Sequence, residues 1–174
     1  MKKILIAVAL FMIIITNMKS EDIIIPDSSI RFRVIASSNT LEDIKEKNDL
    51  SNYLDKKIFE FIKSSKTSEE AKKTLKENEV KISSIIDEYL LNKRLDYGYT
   101  LSIGQNYFPT KYYKGIKYDA GYYDSVVIKL GLSSGMNWWC VIYPPLCLID
   151  EEKTDSVEYT TLIKEVVDKY KNRL

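Results

Sequence analysis

Ile30-Arg31-Phe32-Arg33-Val34-Ile35-Ala36 is the stretch from which the fold is read. Apolar Ile30, Phe32 and Val34 alternate with Arg31 and Arg33, which is the period of a strand with one buried face. The arginines turn away from that face, to bind an anionic partner or simply as solvated side chains, the ordinary reading. The next fifty residues have a different period. Leu41 to Asn92 contains neither Gly nor Pro, so nothing in it interrupts a helix. Asn39 or Thr40 can cap its start, with Glu42 and Asp43 in the first turn. Leu50, Tyr53, Leu54, Ile58, Phe61 and Ile62 fall at helical spacing. Ser64-Ser65-Lys66-Thr67 breaks that pattern, and Thr67 with Glu70 resembles a capping box. A second helix is predicted beyond it, striped by Ala71, Leu75, Ile82, Ile85, Ile86 and Tyr89.

The second half changes character. All six glycines lie at or after Gly98, and eight of thirteen tyrosines fall between Tyr97 and Tyr123, where aromatics favour strands. Tyr97, Tyr99, Leu101 and Ile103 alternate with small or polar residues, and so do Val126, Ile128 and Leu130 with Val127 and Lys129. Trp138 to Tyr143 is a third short apolar run, stopped by Pro144-Pro145. Asp155 then caps a last helix striped by Tyr159, Leu162, Ile163, Val166, Val167, Tyr170 and Leu174. The order strand, two helices, three strands, C-terminal helix predicts a single α+β domain over residues 30–174.

Residues 21–29 read as a linker, and residues 1–20 as a signal peptide or an N-terminal membrane anchor. Lys2 and Lys3 precede an apolar run of twelve, Ile4 to Ile15. A spanning helix needs about 20 such residues, so the run suits the core of an export signal. A cut after Ser20 would remove Lys2, Lys3 and Lys19, leaving 23 cations against 25 acids, net −2. Met18 is a poor residue for a cleavage site, which keeps the uncleaved anchor open. Export would place the domain where disulfides are permitted.

Charge and composition exclude several functions. The chain has 26 Lys and Arg, 25 Asp and Glu and no histidine, for a net charge of +1. That balance argues against a nucleic-acid partner. The absence of His removes Ser-His-Asp and Cys-His catalysis and most zinc sites, and no cofactor is expected. Gly131-Leu132-Ser133-Ser134-Gly135 matches the G-x-S-x-G pattern, but it leads into a strand rather than a helix, and a plain turn explains it better. Cys140 lacks a His to hold it as thiolate, although a lysine base stays open. The carboxylate pairs Glu42-Asp43 and Glu69-Glu70 sit at helix starts, where they complement the dipole, and Asp150-Glu151-Glu152 reads as a solvated loop.

Asn137-Trp138-Trp139-Cys140-Val141-Ile142-Tyr143-Pro144-Pro145-Leu146-Cys147 remains. Adjacent strand residues point to opposite faces, so one Trp can enter the core while the other meets solvent or a partner; two-sided burial beneath a helix is the plainer reading. A reversal centred on Pro144-Pro145 would set Cys140 and Cys147 diagonally, at about 7–8 Å, just outside ordinary disulfide reach. Bonded cysteines and two buried thiols both stay open.

This segment resembles stage II sporulation protein R of endospore-forming Firmicutes. The resemblance extends to Ile30–Ser38, to Glu42-Asp43 and Lys47, to Phe108-Pro109-Thr110-Lys111, to Ala120-Gly121-Tyr122 and to Gly131, Gly135 and Asn137. Departures fall at Ser37, Ile44, Ser51-Asn52 and Ser133, so the polar face of the first helix differs from the family's pattern. The resemblance implies a secreted forespore signalling protein, not an enzyme. Its expected place is the space between the forespore and mother-cell membranes, free or tethered by residues 4–15. Its expected partner is the mother cell's membrane-embedded aspartic protease, which processes the pro-form of a sporulation sigma factor. The contact surface is assigned to Asn137, Trp138, Trp139, Phe108, Pro109, Thr110 and Lys111. The alternatives are an extracytoplasmic hydrolase with Cys140 or Ser133 as nucleophile, and a cell-wall-binding module using exposed tyrosines and one Trp.

Overall fold

The computed structural model describes residues 23–113, 116–148 and 156–174. The N-terminal segment 1–20, the acidic run 150–152 and the expected cap Asp155 lie outside the described residues. The elements are strands β1 (Ile23–Ile24), β2 (Ile30–Ile35), β3 (Tyr99–Phe108), β4 (Lys111–Tyr113), β5 (Ile116–Tyr118), β6 (Gly121–Leu130) and β7 (Asn137–Tyr143). The helices are α1 (Leu41–Ile62), α2 (Ser68–Glu77), α3 (Glu79–Lys93) and α4 (Ser156–Tyr170), with one 3-10 turn at Leu146–Leu148. This is an α+β fold.

The main sheet has the order β3-β6-β2-β7. The predicted strand β2 lies inside it, parallel to β6 and antiparallel to β7, while β3 pairs antiparallel with β6. Register places Phe32 beside Val126 and Cys140, and Val34 beside Ile128 and Trp138. These side chains form one face. Leu50, Leu54, Ile58 and Ile62 of α1, Ala71 and Leu75 of α2, and Ile82 and Ile86 of α3 close over it as one core. Each buried leucine and isoleucine contributes about 1.5–3 kcal/mol by leaving water.

The starts of α1 and α2 are capped by side chains. Thr40 Oγ1 accepts from the Asp43 amide at 3.2 Å and Thr67 Oγ1 from the Glu70 amide at 3.2 Å. Glu70 reaches back to the Lys66 amide at 2.6 Å, so two unpaired donors are satisfied at one end. The second predicted helix is two. At Asn78 the side-chain Nδ2 donates to the Thr74 carbonyl at 2.8 Å, and the backbone turns to φ −102°, ψ 12° between α2 and α3. Asn competes for backbone partners in this way and favours helix ends.

A second sheet, β1-β5-β4, was not anticipated. The stretch read as a linker supplies its strand β1, and Ile25 is buried with Ile116, Val141, Leu146 and Ile163. This small layer and α4 cover part of the main sheet's other face.

Candidate functional site

Alternation along β2 decides what the second face of the sheet carries. Register sets Arg31 beside Ser125 and Val141, and Arg33 beside Val127 and Trp139. Neither arginine is simply solvated, which corrects the ordinary reading of the alternation. Arg31 is only 2% exposed, and Arg33 is half-buried. Three aromatic rings take the place of water around them. The Arg31 guanidinium carbon lies 3.2 Å from the Tyr123 ring centroid and 5.5 Å from that of Phe108. The Arg33 carbon lies 5.4 Å from the Trp139 centroid and 5.8 Å from that of Phe108. Such contacts attract a cation to the negative face of a ring.

Phe108 is the hub. It meets Trp139 edge to face at 5.4 Å and Tyr123 at 6.2 Å. It is 1% exposed, so it supports the surface and does not itself reach a partner. Pro109 and Thr110 are exposed beside it, and Lys111 begins β4 with its ammonium 5.0 Å from the Trp139 centroid. Asn137 is exposed and accepts from Arg33 Nε through Oδ1 at 2.8 Å. The two tryptophans separate as strand geometry requires. Trp138 turns to the helices and meets Phe32 edge to face at 5.4 Å, whereas Trp139 lies on the arginine face. Of the residues expected at the contact surface, Asn137, Trp139, Phe108 and Lys111 are gathered here, and Trp138 is not.

Donors outnumber acceptors in this place. Among the described residues, Arg31 Nε and Nη1 and Trp139 Nε1 are buried without a hydrogen-bond partner. Among them, too, neither Arg31 nor Arg33 forms an ion pair. Burial pushes the pKa of both guanidinium groups down, but an arginine keeps its charge in proteins. Lys47 of α1 is buried as well, and its ammonium pKa is lowered first by burial and then by the charge of Lys111. The result is a positively charged, ring-lined face with unpartnered N–H groups buried beneath it. The sequence offered Arg31 and Arg33 as an anion contact only beside the ordinary solvated reading, and gave no sign of Tyr123.

The two candidate nucleophiles have other geometry. Ser133 sits at φ 51° in a turn between β6 and β7, its amide donating to the Leu130 carbonyl at 2.8 Å. The neighbouring Ser134 amide and hydroxyl hold the Ser37 carbonyl at 3.1 and 2.9 Å. Strand β7 comes next and not a helix, so this turn is not the strained strand-to-helix elbow of a serine hydrolase. Cys140 is bonded to Cys147, with Cα atoms 5.6 Å apart. The chain leaves β7 into the 3-10 turn rather than a second hairpin strand, which closes the diagonal gap. A bonded sulfur is no thiolate. Among the described residues there is no group of side chains that could hold a metal ion, and no helix is long and apolar enough to cross a membrane.

A family model described as Stage II sporulation protein R matches residues 26–153. The chain belongs to the stage II sporulation protein R family. A Bacillus subtilis (strain 168) protein named Stage II sporulation protein R is 32% identical over 145 residues, which is 82% of this chain. The chain spans 65% of that relative's length. No solved structure matches. Every residue of the arginine face lies within the part that matches the family model.

Proposed function

We propose that this chain is a sporulation signalling protein, exported from the forespore into the space between the two membranes. There it activates the mother cell's membrane-embedded aspartic protease, which removes the pro-sequence of a sporulation sigma factor. Membership of the family carries this reading. The structure supports it with a surface suited to recognition: an exposed Asn beside a half-buried Trp and Arg, aromatic and Arg residues being those that dominate protein interfaces. The Cys140–Cys147 bond agrees with an oxidising compartment. On this reading the chain acts by binding and needs no catalytic group.

One observation favours a second reading. Tyr107, Tyr112 and Tyr122 are exposed, and the Tyr107 and Tyr122 rings meet at 5.6 Å. Exposed aromatic pairs also suit stacking on cell-wall sugars. A retention experiment separates the two. The exported chain should be held by membranes carrying the protease and pass through purified peptidoglycan. Retention on peptidoglycan alone, with none on the protease membranes, would favour the wall-binding module.

A further inference from the structure

We infer that the arginine face receives a carboxylate side chain from an acidic segment of the protein partner, held by Arg33 beside the fixed charge of Arg31. This rests on the proposed function and names the chemistry by which the partner is recognised.

A guanidinium carries five N–H groups in a planar fork. Arg33 uses Nε toward Asn137 Oδ1 at 2.8 Å, and this bond with the Trp139 ring fixes the plane of the group. Among the described residues its terminal amino groups find no hydrogen-bond acceptor, and the residue is partly open to solvent. That is the geometry in which Arg binds a carboxylate through two parallel bonds. Arg31 supplies the second, independent observation. It is 2% exposed, yet its Nε and Nη1 have no partner among the described residues. Buried cations are ordinarily paired; here the rings of Tyr123 and Phe108 lie against the guanidinium, and the Tyr123 hydroxyl and the more distant Asp27 carboxylate favour its charge. Trp139 Nε1 adds one more unpaired donor. The Lys111 ammonium lies 5.0 Å from the Trp139 centroid, and its charge is felt at Lys47. The charge that complements this place is negative.

A protein acid fits better than a lipid surface. Membrane-binding patches present long flexible lysines and an exposed apolar rim. Here the key cation is a half-buried Arg, bonded to Asn137 and set 5.4 Å from the Trp139 ring centroid. That suits one directed carboxylate rather than a plane of head groups.

The test uses short synthetic peptides tiling the extracytoplasmic segments of the protease, with binding to the exported full chain followed by fluorescence anisotropy. At least one peptide containing Asp or Glu should bind, more weakly as salt rises. Its Asn/Gln counterpart should bind about tenfold more weakly, and so should the parent peptide to Arg33→Gln, a loss matching one charged hydrogen-bonded pair. Lys111→Gln, a milder change, should weaken binding by a smaller factor. Lys73→Gln, on α2, should bind as the parent does. Unchanged binding to folded Arg33→Gln would overturn the inference. So would an absence of peptide binding, or Arg33-dependent capture by phosphatidylglycerol vesicles in its place. If protease membranes still retain the chain in those cases, the proposed function stands and only the carboxylate recognition falls.

Discussion

Replacing Phe108 with Ala tests whether this residue is a support or a contact. Its ring is 1% exposed and lies between Trp139, Tyr123, Arg31 and Arg33. Truncation would remove a full aromatic side chain from a closed site, a change that costs about 3–5 kcal/mol. Two edge-to-face ring contacts go with it, together worth about 1–3 kcal/mol of that total. Arg31 would also lose one of its two ring neighbours while staying buried, so the upper half of the range is expected. For a chain of this size, 1 kcal/mol moves the midpoint by about 2–4 °C. Phe108→Ala should therefore melt roughly 8–20 °C below the parent, and the urea midpoint should fall in step. Phe108→Leu, which keeps most of the volume, should lose less than half as much. A Phe108→Ala chain within about 3 °C of the parent, yet unable to bind protease membranes, would refute the reasoning and make Phe108 a direct contact.

Three further outcomes are expected of the same structure. Asp55 of α1 is 7% exposed, and burial raises its carboxyl pKa from 3.8 to about 6. The carboxyl is protonated in both states below pH ~4 and ionised in both above pH ~6, so stability falls as pH rises through that window. At roughly 1.4 kcal/mol per unit the full change is about 3 kcal/mol. Urea titrations should show this slope in the parent and not in Asp55→Asn, and equal slopes would contradict it. A Cβ at Gly135 would overlap the Ser38 carbonyl oxygen, so Gly135→Ala should cost about 2 kcal/mol or more by calorimetry; a neutral change would show that the turn can move. Cys140→Ser with Cys147→Ser opens a bridge of sequence separation 7. It should lower stability by about 2–3 kcal/mol, and no change would mean that the thiols are unpaired in solution.

The sequence carried the parts of the fold that have a strong period. IRFRVIA alternates, the stretch after Thr40 has helical spacing with caps at Thr40 and Thr67, β3 and β6 carry alternating apolar residues, and β7 is a short apolar run stopped by Pro144-Pro145. The second sheet was not legible, because Lys111–Tyr113 and Ile116–Tyr118 are three-residue strands, too short to show any period. Asn78 broke a helix that composition would have left whole, through a local side-chain bond. For the surface, strand alternation put the two tryptophans on opposite faces, where they lie. It also placed both arginines on one face. It could not reveal what covers them, since the covering rings come from Phe108, Tyr123 and Trp139, brought together only by the register of β3, β6, β2 and β7.

The proposed function is activation of a membrane protease without chemistry by this chain. Co-expression of the chain, the protease and the pro-sigma factor in a non-sporulating host tests it most directly, with cleavage of the pro-form as the readout. The account predicts cleavage only when the chain is present, persisting in Ser133→Ala and in an exported, folded Cys140→Ala chain. No cleavage with a folded, exported parent chain, or cleavage abolished by Ser133→Ala with the fold intact, would contradict it.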